Sequence, residues 1–279
     1  MPRFHKNADR VKFKGLIELS LSDWDKRMCS VMFTGGCNFR CPYCHNRDLV
    51  LNPGSLEDID YGSIKPYFEG KKLWVDSITI SGGEPTLHDG VKAVITDLKM
   101  SGFNVKIDTN GSNPAYLGYL IDNNLVDHIA MDLKGPLGTG RYKEFCGVDV
   151  AESTITESIL RIVQSGVAHQ FRTTIVPQMH TEEDIKEASL MLSDMGANSY
   201  RLQNFRPVNT LDPSYLEKRG VSQDYFSLLK TKYEIEKPLG RRIEHHAGNN
   251  IGDGDTDHEI TPRTPCNEER GPAYPLLQM

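Results

Sequence analysis

Three cysteines lie within one short stretch of the chain, as Cys37, Cys41 and Cys44 in the spacing CxxxCxxC. They follow a run of apolar and β-branched residues, 30–34, that predicts a strand. Thiolates spaced in this way can reach one metal centre from a single loop, and soft sulfur ligands suit zinc or an iron–sulfur cluster. The sequence therefore predicts a metal site formed by these three side chains.

The number of ligands separates two kinds of metal site. A closed structural zinc site normally has four protein ligands, whereas the cysteine cluster supplies three. No fourth cysteine is near in sequence, because Cys29 falls on the run into the predicted strand. Three ligands leave one coordination position open for chemistry. The alternative is a zinc site that His45 or a distant residue completes.

A second motif, Gly82-Gly83-Glu84, closes the predicted strand 76–81. Two glycines allow backbone carbonyl groups to approach a ligand closely, and carbonyl or carboxylate oxygens accept hydrogen bonds from an ammonium group. Taken alone, the motif could equally be a turn. Its place at the carboxyl end of a predicted strand, where α/β barrels carry their active sites, favours a role in the same site as the cysteines.

Polar side chains also end or follow three further predicted strands, 104–109, 127–132 and 170–176. Amides and hydroxyls there can bind ribose hydroxyls, a lysine can neutralise a carboxylate, and an aspartate can hold an ammonium group. The alternatives are a type I′ turn at Asn-Gly and a surface ion pair between aspartate and lysine. The agreement of three strand ends favours one shared site. The side chains are Asp108, Thr109, Asn110, Asp132, Lys134 and Arg172.

The elements that must position these residues alternate along the chain. Between the predicted strands lie segments with apolar residues at helical spacing, such as Val91, Val94, Ile95 and Leu98. Six such alternations predict an α/β fold with a parallel sheet, as a partial, open (β/α)6 barrel, because a closed barrel needs eight. An open doubly wound sheet is the alternative, but no glycine-rich dinucleotide fingerprint follows the first strand. The predicted strands are 30–34, 76–81, 104–109, 127–132, 170–176 and 199–203.

Helix ends and the C-terminal region can also be predicted. Ser, Thr and Gly mark helix boundaries by capping the free backbone groups. The expected N-caps are Ser55, Ser153 and Thr181, and the expected C-terminal glycines are Gly102, Gly166 and Gly196. We divide the chain into a barrel domain, residues 1–210, and a C-terminal extension, residues 211–279. The extension is predicted to contain a helix at 223–233 and a loop or extended tail beyond Pro238.

Composition limits the class of protein. The chain has 279 residues with 38% hydrophobic content and a net charge of −6, which argues against a broad nucleic-acid interface. No segment resembles a signal peptide or a membrane span, so we expect a cytoplasmic protein. The remaining cysteines, Cys29, Cys146 and Cys266, are scattered, and we interpret them as small buried side chains rather than an additional cluster.

The cysteine motif, with aromatic Tyr43 before its last cysteine, resembles the signature of the radical S-adenosylmethionine (SAM) superfamily. The resemblance implies a [4Fe–4S] cluster held by Cys37, Cys41 and Cys44, with an open iron that chelates the amino and carboxylate groups of SAM. It implies that the reduced cluster cleaves SAM to methionine and a 5′-deoxyadenosyl radical. It also implies that Tyr43 packs near the adenine and that the Gly-Gly-Glu motif binds the SAM amino group.

Residues 15–215 resemble one branch of that superfamily, the activating enzymes of glycyl radical enzymes. The sequences CHNRD at 44–48, DTNG at 108–111 and DLK at 132–134 are similar to those of pyruvate formate-lyase activating enzyme. The sequences VDHIAMDLKGP at 126–136, FRTTIVP at 171–177 and YRLQNFRP at 200–207 resemble anaerobic ribonucleoside-triphosphate reductase activating proteins.

This closer resemblance implies that the radical removes a hydrogen atom from a backbone glycine of a partner enzyme of the anaerobic ribonucleotide reductase type. It also implies an electron donor such as flavodoxin or ferredoxin. Two alternatives stay open at this point. One is a radical SAM enzyme that modifies a small molecule, a nucleoside or an RNA base, and the other is a non-catalytic iron–sulfur or zinc binding module.

Overall fold

A computed structural model of the chain describes residues 8–9 and 11–237. Ten strands are found in this part of the chain: β1 (Lys12–Phe13), β2 (Gly15–Ser20), β3 (Cys29–Thr34), β4 (Ile59–Asp60), β5 (Ser77–Gly82), β6 (Asn104–Thr109), β7 (His128–Asp132), β8 (Ala168–Ile175), β9 (Ser199–Asn204) and β10 (Ile235–Glu236). The α-helices that follow are α1 (Arg47–Leu51), α2 (Tyr61–Lys71), α3 (Asp89–Met100), α4 (Pro114–Asp122), α5 (Tyr142–Cys146), α6 (Glu152–Gln164), α7 (Glu182–Asp194) and α8 (Gln223–Tyr233).

The main sheet has eight strands in the order β10-β9-β8-β7-β6-β5-β3-β2. Its six central strands are parallel, while β2 and β10 pair antiparallel to β3 and β9 at the two edges. Within the described residues β2 and β10 do not pair with each other, so the sheet does not close. The prediction of a partial, open (β/α)6 barrel is therefore confirmed, and the six parallel strands direct their carboxyl ends to one edge.

The pattern of buried residues explains which side chains reach the inside of the barrel. All six residues of β3 are buried, as expected for a parallel strand that is covered on both faces. Along β8, buried residues such as Phe171 and Ile175 alternate with half-buried ones such as Gln170 and Arg172. The period of two puts Arg172 on the polar inner face.

The predicted helix ends are partly confirmed. Thr181 caps α7 in a capping box, because its hydroxyl accepts from the Asp184 amide at 3.2 Å while the Asp184 carboxylate accepts from the Thr181 amide at 2.8 Å. The three predicted glycines follow α3, α6 and α7 with positive φ. The other two N-caps were wrong, since Ser153 lies inside α6 behind Ala151, and Ser55 ends a short 3-10 turn.

The beginning of the C-terminal extension packs on the barrel. The predicted helix is confirmed as α8, which buries Phe226 and Leu229, and β10 adds an edge strand that the sequence did not indicate. The predicted tail beyond Pro238, and Cys266 within it, lie outside the described residues. The division at residue 210 stays a prediction. Among the described helices, none is long and apolar enough to cross a bilayer.

Because Thr181 is a true cap and Ser153 is not, their alanine variants should differ in stability. We expect Thr181→Ala to lower the free energy of unfolding by about 1 kcal/mol, since it leaves helix amides unpaired. Ser153→Ala, on an exposed position inside α6, should change it by less than about 0.5 kcal/mol. Chemical denaturation followed by circular dichroism measures both, and equal losses would contradict the assignment.

Candidate functional site

A cleft opens at the edge of the sheet where the parallel strands end. The empty space in it is about 570 Å³, counting the part open to solvent. Most of the predicted site residues line it, and four residues that the sequence did not single out join them. The predicted residues are Cys37, Cys41, Cys44, Gly82, Gly83, Asp108, Thr109, Asn110, Asp132, Lys134 and Arg172, and the additional ones are Phe39, Asn46, Val50 and Ser81.

The cysteine loop follows β3 and is held in shape by its own backbone. The Cys44 amide donates to the Cys41 carbonyl at 3.0 Å. The Cys37 sulfur accepts hydrogen bonds from the Phe39 amide at 3.3 Å and from the Asn110 Nδ2 group at 3.8 Å. Such N–H···S contacts are among the interactions by which proteins tune iron–sulfur clusters.

The donor set consists of buried or half-buried thiols, which suit a soft metal centre. Burial raises the pKa of Cys41 to about 12 and that of Cys37 to about 11, so binding of iron would release protons from these thiols. Three thiols line one cleft, yet among the described residues no three metal-ligating side chains converge on one ion position.

Of the zinc ligands that the sequence suggested, His45 can be placed. The His45 Nε2 atom lies 2.6 Å from the Arg206 carbonyl oxygen, and the ring stacks on Phe205 with centroids 5.8 Å apart. His45 is not part of the cleft lining. The geometry therefore places His45 in the support of the loop and not among the predicted ligands.

The two glycines that end β5 lie directly against the cysteine loop. A Cβ atom on Gly83 would be 1.8 Å from the Gly36 carbonyl oxygen, and one on Gly82 would be 2.3 Å from the Thr34 amide nitrogen. Gly82 also has a φ of +121°, which only glycine adopts readily. The Glu84 amide then donates to the Gly36 carbonyl at 2.8 Å, so the two segments form one unit.

Glu84 has a different place from its glycine neighbours. Its side chain is fully buried and its carboxylate accepts hydrogen bonds from the Thr86 amide and hydroxyl, the Thr109 hydroxyl and the Asn110 amide, at 2.6 to 3.1 Å. Burial raises the pKa of Glu84, although these four donors oppose the shift. The carboxylate therefore joins the ends of β5 and β6 and is absent from the cleft lining, so any cofactor contact of this residue would involve its backbone.

A chain of alternating charges crosses the inner face of three strands. Lys106 pairs with Asp108, Arg172 lies 3.4 Å from Asp108 and 2.8 Å from Asp132, and the Lys134 ammonium lies 3.2 Å from Asp132. Burial opposes the ionisation of Asp132, but Arg172 and Lys134 outweigh it and lower its pKa to about 2. The pair of Asp132 and Lys134 is thus part of a partly buried network rather than an isolated surface ion pair.

The remaining predicted residues have mixed environments. Tyr43 is buried beside Cys41 and Lys134, and its hydroxyl has no hydrogen-bond partner among the described residues. The Thr109 hydroxyl already donates to Glu84 and accepts from the Gly111 amide. Little hydrogen-bonding capacity of this hydroxyl therefore remains for a ribose. Asn110 contacts Cys37 and Asn38 and lacks the positive φ of a type I′ turn.

Two important residues were not identified from the sequence as site residues. Asn46 donates from Nδ2 to the Gly82 carbonyl at 2.9 Å and so fixes the direction of that group. Lys106 is almost fully buried and is held by Asp108 and the Asp23 carbonyl. Its signal was present, since a lysine two positions before Asp108 in an apolar strand must share the inner face.

The two described cysteines outside the motif behave as small buried side chains. Cys29 and Cys146 have no exposed surface, and neither lines the cleft. The Cys146 carbonyl accepts from the Arg40 amide at 2.8 Å. This residue therefore supports the cysteine loop from behind through its backbone.

The close approach of Gly83 to Gly36 gives a test with a matched control. Gly83→Ala should lower the free energy of unfolding by about 2 kcal/mol and weaken SAM binding, because the loop must shift to admit a methyl group. Gly70→Ala, at an exposed helical position with open space around it, should instead stabilise the protein by about 0.5–1 kcal/mol. Chemical denaturation measures the stability of both variants, and SAM titration measures their affinity. Wild-type stability and SAM affinity in Gly83→Ala would contradict the close contact between Gly83 and Gly36.

Comparison with known proteins places this site in a family. The model of the Radical SAM superfamily matches residues 31–192. The chain is 36% identical over 213 residues to a protein of Methanocaldococcus jannaschii that is provisionally named a glycyl-radical enzyme activating enzyme, with 72% of this chain and 82% of that protein covered. It is 25% identical over 210 residues to a Saccharolobus islandicus protein provisionally named GTP 3′,8-cyclase, with 74% and 67% covered.

A solved structure supports the same assignment at the level of the fold. Streptococcus suis SuiB bound to S-adenosylmethionine superposes with a TM-score of 0.53 at 15% identity, covering 74% of this chain and 50% of SuiB. This likeness shows a shared partial barrel. The family match and the 36% identical relative together show that the chain belongs to the radical SAM superfamily, whose members use a [4Fe–4S] cluster and SAM.

Proposed function

We propose that this radical SAM enzyme installs a glycyl radical on a partner enzyme of the anaerobic ribonucleotide reductase type. The observation that carries the proposal is the 36% identity to a provisionally named activating enzyme over 82% of that protein's length. The motifs at residues 44–48, 108–111 and 132–134 agree with it. Each of these segments contributes residues to the lining of the cleft.

The residues of the cleft have distinct roles in this proposal. Cys37, Cys41 and Cys44 hold the cluster, and the bound cluster and SAM supply a 5′-deoxyadenosyl radical. Lys134 binds the SAM carboxylate, because an ammonium group has three donors and the contact with Asp132 uses one of them. The Gly82 carbonyl, oriented by Asn46, accepts from the SAM amino group.

Arg172 and the two aspartates keep this edge of the barrel rigid and polar. Arg172 bridges Asp108 and Asp132, which belong to neighbouring strands, and the pKa of each half-buried carboxylate is lowered, with Arg172 as the main opposing charge to the cost of burial. A preorganised polar wall binds the charged part of a ligand without reorganisation. A hydrogen donor would then approach from the open side of the cleft.

A second candidate function has one observation in its favour. The 25% identity to a provisionally named GTP 3′,8-cyclase covers 74% of the chain, a share similar to that of the first relative, and supports a small-molecule or nucleoside substrate. The SAM-binding residues would be the same in that case. Only the hydrogen donor distinguishes the two candidates.

The assignment of cluster ligands can be tested by iron content. After anaerobic reconstitution, Cys41→Ala should lose most of its iron and sulfide and the visible absorbance of the cluster, because two thiolates hold a cluster weakly. Cys29→Ala, which removes a buried thiol outside the cleft, should keep full cluster content. Equal iron content in the two variants would contradict the assignment.

The glycyl radical is tested directly with isotope-labelled partner protein. The reduced holoenzyme, SAM and the anaerobic ribonucleotide reductase of the same organism, grown with Cα-deuterated glycine, are mixed without oxygen. We expect a glycyl EPR signal together with deuterated 5′-deoxyadenosine. The amount of glycyl radical should equal the amount of 5′-deoxyadenosine that carries deuterium. Deuterium-free 5′-deoxyadenosine without the EPR signal would favour the small-molecule alternative, and the Cys41→Ala variant serves as the inactive control.

A further inference from the structure

His180 lies in the turn between β8 and α7. It is buried, and it does not line the cleft itself. Gln178, in the same turn, has a φ of +69°. This left-handed conformation is unfavourable for a residue other than glycine and persists where the surrounding structure holds it. Thr181, the residue after the histidine, caps α7. The turn therefore gives His180 a defined position near the carboxyl ends of the strands.

Both ring nitrogens of His180 bond to backbone groups that follow strands. The Nδ1 atom accepts from the Val176 amide at 3.2 Å, so the ring proton is on Nε2. The Nε2 atom lies 2.8 Å from the Lys134 carbonyl oxygen, which can only accept, so the Nε2–H group donates. Burial lowers the pKa of His180, in agreement with a neutral ring. The two partners thus select one tautomer, which joins the end of β8 to the residues that follow β7.

The backbone of Lys134 is held at its amide as well as at its carbonyl. The amide donates to the hydroxyl of Tyr142 at 3.2 Å, and Tyr142 is a buried side chain of α5. Lys134 comes two residues after Asp132, the last residue of β7 that is paired with β8. Two buried side chains therefore fix a backbone that the sheet no longer holds.

Phe145 completes the packing around this backbone. Its ring stacks on the His180 ring with centroids 4.7 Å apart. A Cβ atom on Gly135 would be 2.3 Å from the Phe145 Cδ2 atom, so the residue after Lys134 lies directly against the same ring. These contacts fix the point from which the lysine side chain starts, and that side chain lines the cleft.

We propose that His180 and Tyr142 are positioning residues for the binding of the SAM carboxylate, because they hold the backbone that carries the Lys134 ammonium. Binding a ligand orders the groups that contact it, and a backbone that is already fixed makes this ordering less unfavourable. The inference rests on the contact between Lys134 and the SAM carboxylate that the proposed function assigns. It does not depend on the identity of the hydrogen donor.

Two ligands separate the carboxylate from the rest of SAM. SAM and decarboxylated SAM, which keeps the amino group, the sulfonium and the adenosine, are titrated into the reconstituted protein by calorimetry without oxygen. His180→Phe keeps a ring that can stack on Phe145 but loses both hydrogen bonds. We expect it to weaken SAM binding about tenfold and to leave the affinity for decarboxylated SAM unchanged.

Two further variants show whether the hydrogen bonds are responsible. Tyr142→Phe removes only the hydroxyl that accepts from the Lys134 amide, so it should also weaken SAM selectively. His180→Gln loses the ring but keeps an N–H group that can donate to the Lys134 carbonyl, so its SAM affinity should stay within about threefold of the wild type. An equal loss in His180→Gln and His180→Phe would assign the effect to the ring stack and overturn the inference.

His169 provides the matched control. It is buried, and its ring nitrogens also contact two backbone groups, the Val167 carbonyl at 2.9 Å and the Asn198 amide at 3.2 Å. It lies near the start of β8, at the opposite end of the strand from the cleft. His169→Phe should therefore leave the affinity for both ligands unchanged, although it removes as many hydrogen bonds. A loss of SAM affinity in this variant would show a general effect of losing a buried histidine and overturn the inference.

Lys134→Met tests the contact on which the inference rests. It should weaken SAM at least as much as His180→Phe does and leave decarboxylated SAM unchanged, and His180→Phe should have no further effect in its background. An equal effect of Lys134→Met on both ligands would contradict the role that the proposed function gives to Lys134. A selective effect of Lys134→Met without one of His180→Phe would overturn this inference alone, as would equal losses of both ligands in His180→Phe.

Discussion

The site depends on a contact in which two backbones meet without side chains between them. The end of β5 and the loop after β3 approach so closely that a methyl group on Gly83 would overlap the Gly36 carbonyl. Amides of Gly83 and Glu84 donate to the carbonyls of Thr34 and Gly36 across this contact, at 2.9 and 2.8 Å. The cysteine loop is thereby attached to the edge of the sheet, so the positions of its thiols are fixed relative to the barrel.

Charge pairing provides the second constraint, and it acts along the sheet rather than across the loop. Lys106, Asp108, Arg172, Asp132 and Lys134 alternate in sign over β6, β7 and β8. Removing one partner from such a network leaves a buried charge without compensation, which is far more unfavourable than the net gain from the pair. The network therefore fixes the positions of its members, and its last member, Lys134, is held beside the cysteines.

The sequence was sufficient for those features that depend on local periodicity. All six parallel strands were located within two residues at each end, and α8 was located at its observed bounds, because short apolar, β-branched runs and apolar residues at helical spacing are local signals. The edge strands β2 and β10 were missed. Three of the six residues of β2 are not buried, so it lacks a continuous apolar run, and β10 has only two residues. The N-caps at Ser55 and Ser153 failed because serine also suits turns and first-turn positions, and only the backbone conformation decides between them.

Residues of the cleft lining were predictable where their type alone suggests chemistry, as for the three cysteines and Lys134, while their roles toward a cluster and SAM stay predictions. The orientation of Glu84 was not predictable, because a carboxylate after two glycines can point to a ligand or back to the strand ends. In the structure the Glu84 carboxylate points back to the strand ends, because it accepts hydrogen bonds from the hydroxyls of Thr86 and Thr109 and from two backbone amides. Those donors come from two different strand ends, so their convergence on one carboxylate is a property of the tertiary structure.

The barrel and segment 205–221, which follows its last parallel strand, contribute to the site in different ways. The barrel edge carries the thiols, the glycines and the charged side chains that line the cleft, and the family match ends at residue 192, within α7. Segment 205–221 comes later in the chain, yet its amides contact the carbonyls of Pro42 and Cys44. A segment that follows the family match therefore helps to hold the cysteine loop in place, although it contributes no residue to the lining of the cleft.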